Sequence, residues 1–298
     1  MHTRYKTPAR GTDVTASCDG EMAVDKAERV PIGPLQIDRV PLSAVPGLLA
    51  GFASQGSPHQ IVTANLQFLG VASRDAAFAE IVNRADLVVA DGAPLLGLSR
   101  IIGWPIPDRI TGHDLLQIAA GVAAQRGYSI AFLGAAPEVA RQAARRLREM
   151  HPGLGPVGTF EASISPDGYG WTQQDERRLV DSLRLSRPHF LFVALGCPKQ
   201  EFWIARHLHE VGVPVCVGVG GTLDVLAGRL KRAPRWMRRA GLEWSYRLGQ
   251  EPQRLWKRYL LGDVPTLCRL GVAMLSSRSR PRPAGGIQHP EDRDRAAQ

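Results

Sequence analysis

Residues 60–226 alternate between short apolar runs and longer segments in which apolar residues recur every three or four positions. The short runs are rich in Val and Ile, as strands buried on both faces of a parallel sheet are. The longer segments are typical of the helices that cover such a sheet. The pattern therefore predicts an α/β fold. Six strands are predicted, at residues 61–64, 87–90, 129–133, 156–159, 190–195 and 213–219.

Four polar or glycine-rich clusters lie at the ends of predicted strands or directly after them. Open parallel sheets bind their ligands at the carboxyl ends of the strands, so this shared position indicates a functional site. The clusters are TAN (residues 63–65), DGAP (91–94), GCPKQE (196–201) and GVGGTLD (218–224).

Asp91 directly follows an apolar strand, LVVA, and its carboxylate is expected to face the crevice at the edge of the sheet. A partly desolvated carboxylate has a raised pKa and is suited to act as a general base. The structural alternative is a helix N-cap, a common position for aspartate. Thr63 and Asn65 follow the neighbouring strand and favour a binding site.

Other clusters offer groups that suit an anionic or sugar ligand. Arg109 precedes a helix start marked by the capping box of Thr111 and Asp114, where a cation and free N–H groups can hold an anion. A solvated arginine is the alternative. Gln200 belongs to a polar first helical turn after a strand.

The glycine turn around Gly218 and Gly220 lets the backbone approach a nucleotide or sugar. Asp224 either touches that ligand or simply occupies a first helical turn. The turn differs from a dinucleotide fingerprint, because it follows the last predicted strand and lacks the third glycine at the required spacing. A nicotinamide-dependent oxidoreductase is therefore poorly supported.

Most of the net charge of +9 lies in one segment, residues 229–260, with ten basic and two acidic side chains, a net of +8. Three of the six tryptophans are also there. Arg247, Arg254 and Arg258 would share one side of a continuous helix, although Gly249 and Pro252 interrupt it. Basic residues mixed with Trp and Leu suit an anionic lipid surface. A solvated helix face remains open, and nucleic acid is disfavoured because no binding motif accompanies the charge.

The remaining composition argues for a reducing cytoplasm and against a metal site. The four cysteines stand far apart without a CxxC pair, His207 and His209 point to different sides of a predicted helix, and the D-x-D at Asp292 lies in a tail predicted to be disordered. The first 36 residues lack the apolar region of a signal peptide, and no apolar run reaches the roughly 18 residues of a membrane-spanning helix.

In this order, the motifs closely resemble those of the WecG/TagA/CpsF family of bacterial glycosyltransferases (glycosyltransferase family 26), over about residues 35–270. The matching blocks are TANLQFL, RADLVVADGAPLL, PDRITGHDLL, FVALGCPKQEFWI, GVGGTLDVLAGRLKRAPRWM and GLEWSYRLGQEPQRLWKRYL.

The resemblance implies a Rossmann-like core, mostly parallel with helices on both faces, at residues 35–228, and a basic helical appendage that meets the membrane at residues 229–275. A flexible extension (1–34) and a disordered tail (276–298) are expected to flank them. It further implies an inverting enzyme without metal or cofactor. Such an enzyme moves a sugar from a nucleotide donor, usually UDP-linked, to a polyprenyl-diphosphate-linked saccharide at the cytoplasmic membrane face. A homo-oligomer is a further expectation, and the sequence does not specify its size.

Matched to the family's motifs, Asp91 is the base that deprotonates the acceptor hydroxyl, and four residues occupy polar active-site positions. Those four are Thr63, Asn65, Arg109 and Gln200. The appendage arginines correspond to Arg247 and Arg254, with Lys257 or Arg258 as the third. They are expected to offset charge on a UDP leaving group or to hold the acceptor diphosphate. A noncatalytic membrane-binding module would leave the strand-end clusters without a purpose.

Overall fold

The computed structural model describes residues 28–162 and 172–278. The strands are β1 (Arg29–Ile32), β2 (Leu35–Asp38), β3 (His59–Ala64), β4 (Leu87–Ala90), β5 (Ile130–Gly134), β6 (Val157–Phe160), β7 (Phe190–Ala194) and β8 (Val215–Gly218). The helices are α1 (Val45–Ser54), α2 (Leu66–Ala72), α3 (Ala76–Arg84), α4 (Ala93–Ile101), α5 (Gly112–Arg126), α6 (Pro137–Met150), α7 (Gln173–Ser186), α8 (Lys199–Val211), α9 (Thr222–Leu226), α10 (Arg235–Arg239), α11 (Glu243–Gln250), α12 (Pro252–Lys257) and α13 (Val264–Arg278).

Strands β3 to β8 form one sheet in the order β4-β3-β8-β7-β5-β6, and every neighbouring pair is parallel. All six predicted strands are present, which confirms the α/β prediction. The register aligns Ala64 with Ala90, and β8 pairs with the other side of β3. The carboxyl ends of β3, β4 and β8 therefore meet at one edge of the sheet.

Alternate strand residues point to opposite faces of the sheet, and both faces are buried. In β5, Phe132 packs with α1, α5, α6 and α9 on one face, whereas Leu133 packs with α7 and α8 on the other. Helices α2, α3 and α4 cover that second face near β3 and β4. This two-sided burial explains why the strands read as continuous apolar runs.

An N-terminal hairpin, β1 and β2, extends the second core and was not predicted. Val30 and Ile32 are fully buried, and the Asp38 carboxylate accepts a hydrogen bond of 2.6 Å from the backbone N–H of Val88. The hairpin crosses the boundary predicted between residues 34 and 35, because its alternating apolar residues pack on α3 and α4 and beside β4. Residues 1–27 of the predicted extension lie outside the described residues.

Helices α10 to α13 form the predicted basic helical C-terminal region and pack on α2 and α4. Leu255 and Tyr259 are buried there, and residues 258–263 form a π-helical turn between α12 and α13. The chain breaks between α11 and α12 at the predicted place, before Pro252. Helix α13 continues to Arg278, past the boundary predicted at residue 276, and residues 279–298 of the predicted tail lie outside the described residues.

Within the two described ranges, no helix has both the length and the apolar character required to cross a membrane.

Candidate active site

A cavity of about 300 Å³ lies where the carboxyl ends of β3 and β4 face the C-terminal helices. The core contributes Asn65, Asp91 and Arg109, and about half of the lining residues come from residue 232 onward. Arg247 and Arg258 are among that second group. The sheet edge and the C-terminal helices therefore form the wall of the cavity together.

Asp91 is the first residue after β4, and its backbone N–H donates a hydrogen bond of 2.7 Å to the carbonyl of Ala64. This bond continues the β3–β4 ladder by one step and fixes the residue at the wall of the cavity. Burial raises the pKa of Asp91 to about 7, against the opposing effect of the nearby Arg247 and Arg109 cations. Near neutral pH a carboxylate of this kind is suited to accepting a proton.

Arg109 joins the core to the C-terminal helices at the rim of the cavity. Its Nη1 lies 3.1 Å from Oε2 of Glu243, the first residue of α11, and both side chains are mostly buried. The predicted helix start follows directly, since Thr111 and Asp114 form a capping box at the N-terminus of α5. One carboxylate and one helix start therefore hold Arg109 beside Asp91.

The N-termini of α2 and α4 also reach the cavity. Asn65 lines it and caps α2, with its side-chain oxygen accepting a hydrogen bond of 3.0 Å from the N–H of Gln67. Gly92, the N-cap of α4, has no side chain to satisfy the first N–H groups of that helix. The positive end of α4 therefore faces the cavity and favours an anionic ligand.

The side chains of Thr63 and Gln200, both predicted site residues, do not line the cavity and instead pack behind its wall. The Thr63 hydroxyl is buried and donates a hydrogen bond of 3.1 Å to the Gly218 carbonyl. The side-chain oxygen of Gln200 accepts hydrogen bonds from the N–H groups of Gly196, at 3.1 Å, and Gly220, at 3.0 Å. Gln200 thus ties together the loops that follow β7 and β8.

The glycine positions are explained by close packing and backbone conformation. A Cβ atom on Gly218 would lie 2.6 Å from Nε2 of Gln200, so no side chain fits there. Gly220 has a φ of +49°, in the left-handed region. Asp224 lies in the first turn of α9 and does not line the cavity, whereas its neighbours Thr222 and Val225 do.

The C-terminal cations divide into two groups. Arg247 and Arg258 line the cavity, and the Arg258 guanidinium stacks 4.6 Å from the centre of the Tyr259 ring. Lys257 is exposed, with its ammonium group 5.7 Å from the Trp256 ring centre, so of the two predicted alternatives Arg258, and not Lys257, lines the cavity. Arg254 lies in α12.

Several lining residues were not predicted from the sequence. His113 and Arg232 line the cavity, and Asp114 Oδ1 accepts a hydrogen bond of 3.0 Å from Arg232. Burial lowers the pKa of His113 to about 4, so the ring is neutral at pH 7. Asp263 also lines the cavity, and burial raises its pKa to about 6. The sequence signal for His113 and Arg232 was their position in two of the blocks that match the family, PDRITGHDLL and GVGGTLDVLAGRLKRAPRWM.

The described residues contain no cluster of three or more His, Cys, Asp or Glu side chains arranged to hold a metal ion.

Comparisons with known proteins agree with the motifs. A family model described as the glycosyl transferase WecG/TagA/CpsF family matches residues 30–280. An N-acetylglucosaminyldiphosphoundecaprenol N-acetyl-beta-D-mannosaminyltransferase of Bacillus spizizenii strain W23 is 35% identical over 231 residues, covering 77% of this chain and 86% of that protein. A protein of the same name from Staphylococcus aureus strain MW2 is 32% identical over 218 residues, covering 73% and 81%. The chain therefore belongs to the WecG/TagA/CpsF family of glycosyl transferases.

Proposed function

We propose that this enzyme transfers a sugar from a UDP-linked donor to a polyprenyl-diphosphate-linked saccharide, in the synthesis of a bacterial surface polysaccharide or exopolysaccharide. The names of the two relatives describe transfer of an N-acetylmannosaminyl group to N-acetylglucosaminyl-diphosphoundecaprenol. The observation that carries the proposal is the carboxylate of Asp91, with its pKa raised to about 7, in a cavity lined by arginines.

The proposed reaction is a single displacement at the anomeric carbon. Asp91 accepts the proton of the acceptor hydroxyl while that oxygen forms the new glycosidic bond. The bond from the anomeric carbon to the β-phosphate oxygen breaks, and UDP leaves with the electron pair. Attack from the side opposite to UDP inverts the configuration of the anomeric carbon.

Cations of the protein take the part of a metal ion in this proposal. Arg109, Arg247 and Arg258 line the cavity, and the N-terminus of α4 adds partial positive charge. Fixed cations and helix termini that face developing negative charge stabilise a transition state without later reorganisation. Transfer should therefore proceed without a divalent cation.

We also propose that the reaction takes place at the inner face of the cell membrane, because the proposed acceptor carries a lipid. The C-terminal helices carry large apolar side chains in solvent, among them Trp236, which is 64% exposed, and Leu261, which is 68% exposed. Together with the basic side chains around them, they suit a surface of anionic lipid. We therefore propose that the enzyme is a peripheral membrane protein.

Release of nucleotide from a panel of UDP- and GDP-sugars tests the function, with detergent-dispersed polyprenyl-diphosphate-linked saccharides as acceptors and with chelator present. UDP-N-acetylmannosamine and an N-acetylglucosamine acceptor come first in the panel. We expect acceptor-dependent release that survives chelation. Absence of release with every pair would contradict the proposed transfer, and loss of release on chelation alone would contradict metal independence.

The base is tested by Asp91→Asn, which keeps the shape of the side chain but cannot accept the proton. Loss of a general base costs roughly 10²–10⁴-fold in rate, so a fall of that size in kcat is expected. Asp181→Asn, an exposed residue of α7, is the matched control and should keep full activity. Full turnover by Asp91→Asn would contradict the assignment.

A further inference from the structure

A second cavity, of about 580 Å³, lies between α4 and α10 and adjoins the Asp91 cavity. Ala93, Arg109 and Gly241 line both cavities. Gly241 has a φ of +74°, and a Cβ atom there would lie 2.9 Å from the Cβ of Ala93. The turn after α10 therefore packs against the start of α4 and forms a thin wall between the two cavities.

The polar side chains of this cleft are four arginines from three separate elements. Arg100 comes from α4, Arg109 from the segment before α5, and Arg235 and Arg238 from α10. Among the described residues that line the cleft, none is acidic. The cleft therefore gathers four guanidinium groups around a space that lacks a counter-charge of its own.

Only part of this charge is compensated elsewhere. Arg109 pairs with Glu243, and Nε of Arg238 donates a hydrogen bond of 3.2 Å to the carbonyl of Ala233. Within residues 28–162 and 172–278, the side chains of Arg100 and Arg235 make no ion pair or hydrogen bond and are exposed to solvent. Like charges that converge on one space repel each other, and an anion bound between them relieves that repulsion.

We propose that this cleft binds the diphosphate group of a substrate. A guanidinium group presents paired donors that match phosphate oxygens, and four such groups exceed what a single phosphate requires. The volume of the cleft falls within the roughly 300–1,000 Å³ of small-molecule sites. The wall shared with the Asp91 cavity puts a diphosphate held here beside the proposed base. The assignment of that diphosphate to a substrate rests on the proposed function.

Calorimetric titration of the full chain with inorganic diphosphate tests the cleft without requiring turnover. The variant is Arg100→Gln/Arg235→Gln, which removes two exposed side chains from opposite walls. Loss of charge-assisted hydrogen bonds should weaken binding about tenfold or more. Arg100→Lys/Arg235→Lys, which keeps the charge but not the paired donors, should lie between that variant and the unaltered chain.

Arg177→Gln/Arg184→Gln is the matched control, because it removes the same charge from two exposed positions of α7, a helix that lines neither cavity. Its diphosphate affinity should stay within about twofold of that of the unaltered chain, since distant surface charges are largely screened. Equal losses in the control and the cleft variant, or no loss in the cleft variant, would overturn the proposal.

Turnover then identifies the source of the diphosphate. A rise in KM for the nucleotide sugar alone assigns the cleft to the donor, and a rise for the polyprenyl-diphosphate-linked acceptor alone assigns it to the acceptor. Diphosphate binding that depends on Arg100 and Arg235 in a chain that transfers no sugar would support the cleft and contradict the proposed function. Normal sugar transfer together with unaltered diphosphate binding in the cleft variant would support the proposed function and contradict the cleft.

Discussion

At the scale of single residues, the proton affinity of Asp91 is a balance of burial against neighbouring charge. Burial raises its pKa to about 7, Arg247 and Arg109 lower it, and Glu243 raises it. A general base acts only when it is deprotonated, so kcat/KM should rise with pH and level off above about pH 7. The position of this rise reports the pKa of the free enzyme's base.

Two substitutions should shift the pH at which kcat/KM rises, in opposite directions. Arg247→Gln removes a cation that favours the carboxylate, so the pKa of Asp91 should increase and the rise should move to higher pH. Glu243→Gln removes an anion and frees Arg109 from its partner, so the rise should move to lower pH. Profiles of kcat/KM against pH measure both shifts. Arg206→Gln, at an exposed position on α8, is the control. Shifts in the same direction for both variants would contradict the proposed effect of these two charges on the pKa of Asp91.

At the scale of elements, the loops after β7 and β8 depend on one another through Gln200. A Cβ atom on Gly218 would lie 2.6 Å from Nε2 of Gln200 and 2.7 Å from Oε1 of Glu201. The Gln200 side chain cannot move away without breaking the hydrogen bonds that its Oε1 accepts from the N–H groups of Gly196 and Gly220 and the one that its Nε2 donates to Glu201 Oε1. Gly218→Ala should therefore lower the free energy of unfolding by about 1–3 kcal/mol and reduce activity with it.

Gly51→Ala is the matched control for this glycine, because α1 leaves open space where its Cβ would lie. In a helix interior the same substitution should raise the free energy of unfolding by roughly 0.5–1 kcal/mol and leave kcat unchanged. Urea unfolding of the two variants measures the contrast. Equal effects would show that the contact with Gln200 does not restrict residue 218.

The sequence predicts elements better than it predicts the direction of side chains. The six sheet strands can be predicted from the sequence because burial on both faces requires continuous apolar runs. The β1–β2 hairpin was missed because its strands, RVPI and LQID, mix apolar with polar residues instead of forming apolar runs, and because its burial depends on contacts with α3 and α4. Thr63 and Asp91 both lie at strand ends, but the Thr63 hydroxyl is buried and bonded to the Gly218 carbonyl, whereas Asp91 lines the cavity. That distinction depends on the register between strands, which no single segment specifies.

At the scale of the whole molecule, the core alone supplies only about half of the cavity's wall. Removal of the chain after residue 228 should keep the sheet but abolish transfer, because Arg247 and Arg258 are lost with the C-terminal helices. Circular dichroism and turnover measure the two effects separately. Arg247→Gln/Arg258→Gln keeps those helices and should also lose activity. Full turnover by the truncated chain would contradict a shared site.

The proposed binding to the membrane is also a property of the whole molecule, and we assign it to the C-terminal helices. Leu261, in the π-helical turn, is 68% exposed and lies outside both cavities. Leu261→Glu removes an apolar contact with lipid and adds a charge of the wrong sign for an anionic surface. Affinity for vesicles that contain anionic lipid should fall on the order of tenfold.

Leu185→Glu is the matched control, because Leu185 is 85% exposed on α7, on a different part of the core. It makes the same chemical change, so it should leave vesicle binding unaltered if the C-terminal helices form the contact. Sedimentation with vesicles at low and high salt measures both variants, and high salt should weaken binding of the unaltered chain because its cations are screened. Equal losses in the two variants would mean that binding follows net charge and apolar area wherever they lie. A loss confined to Leu261→Glu would place the lipid-binding surface on the same helices that line the candidate active site.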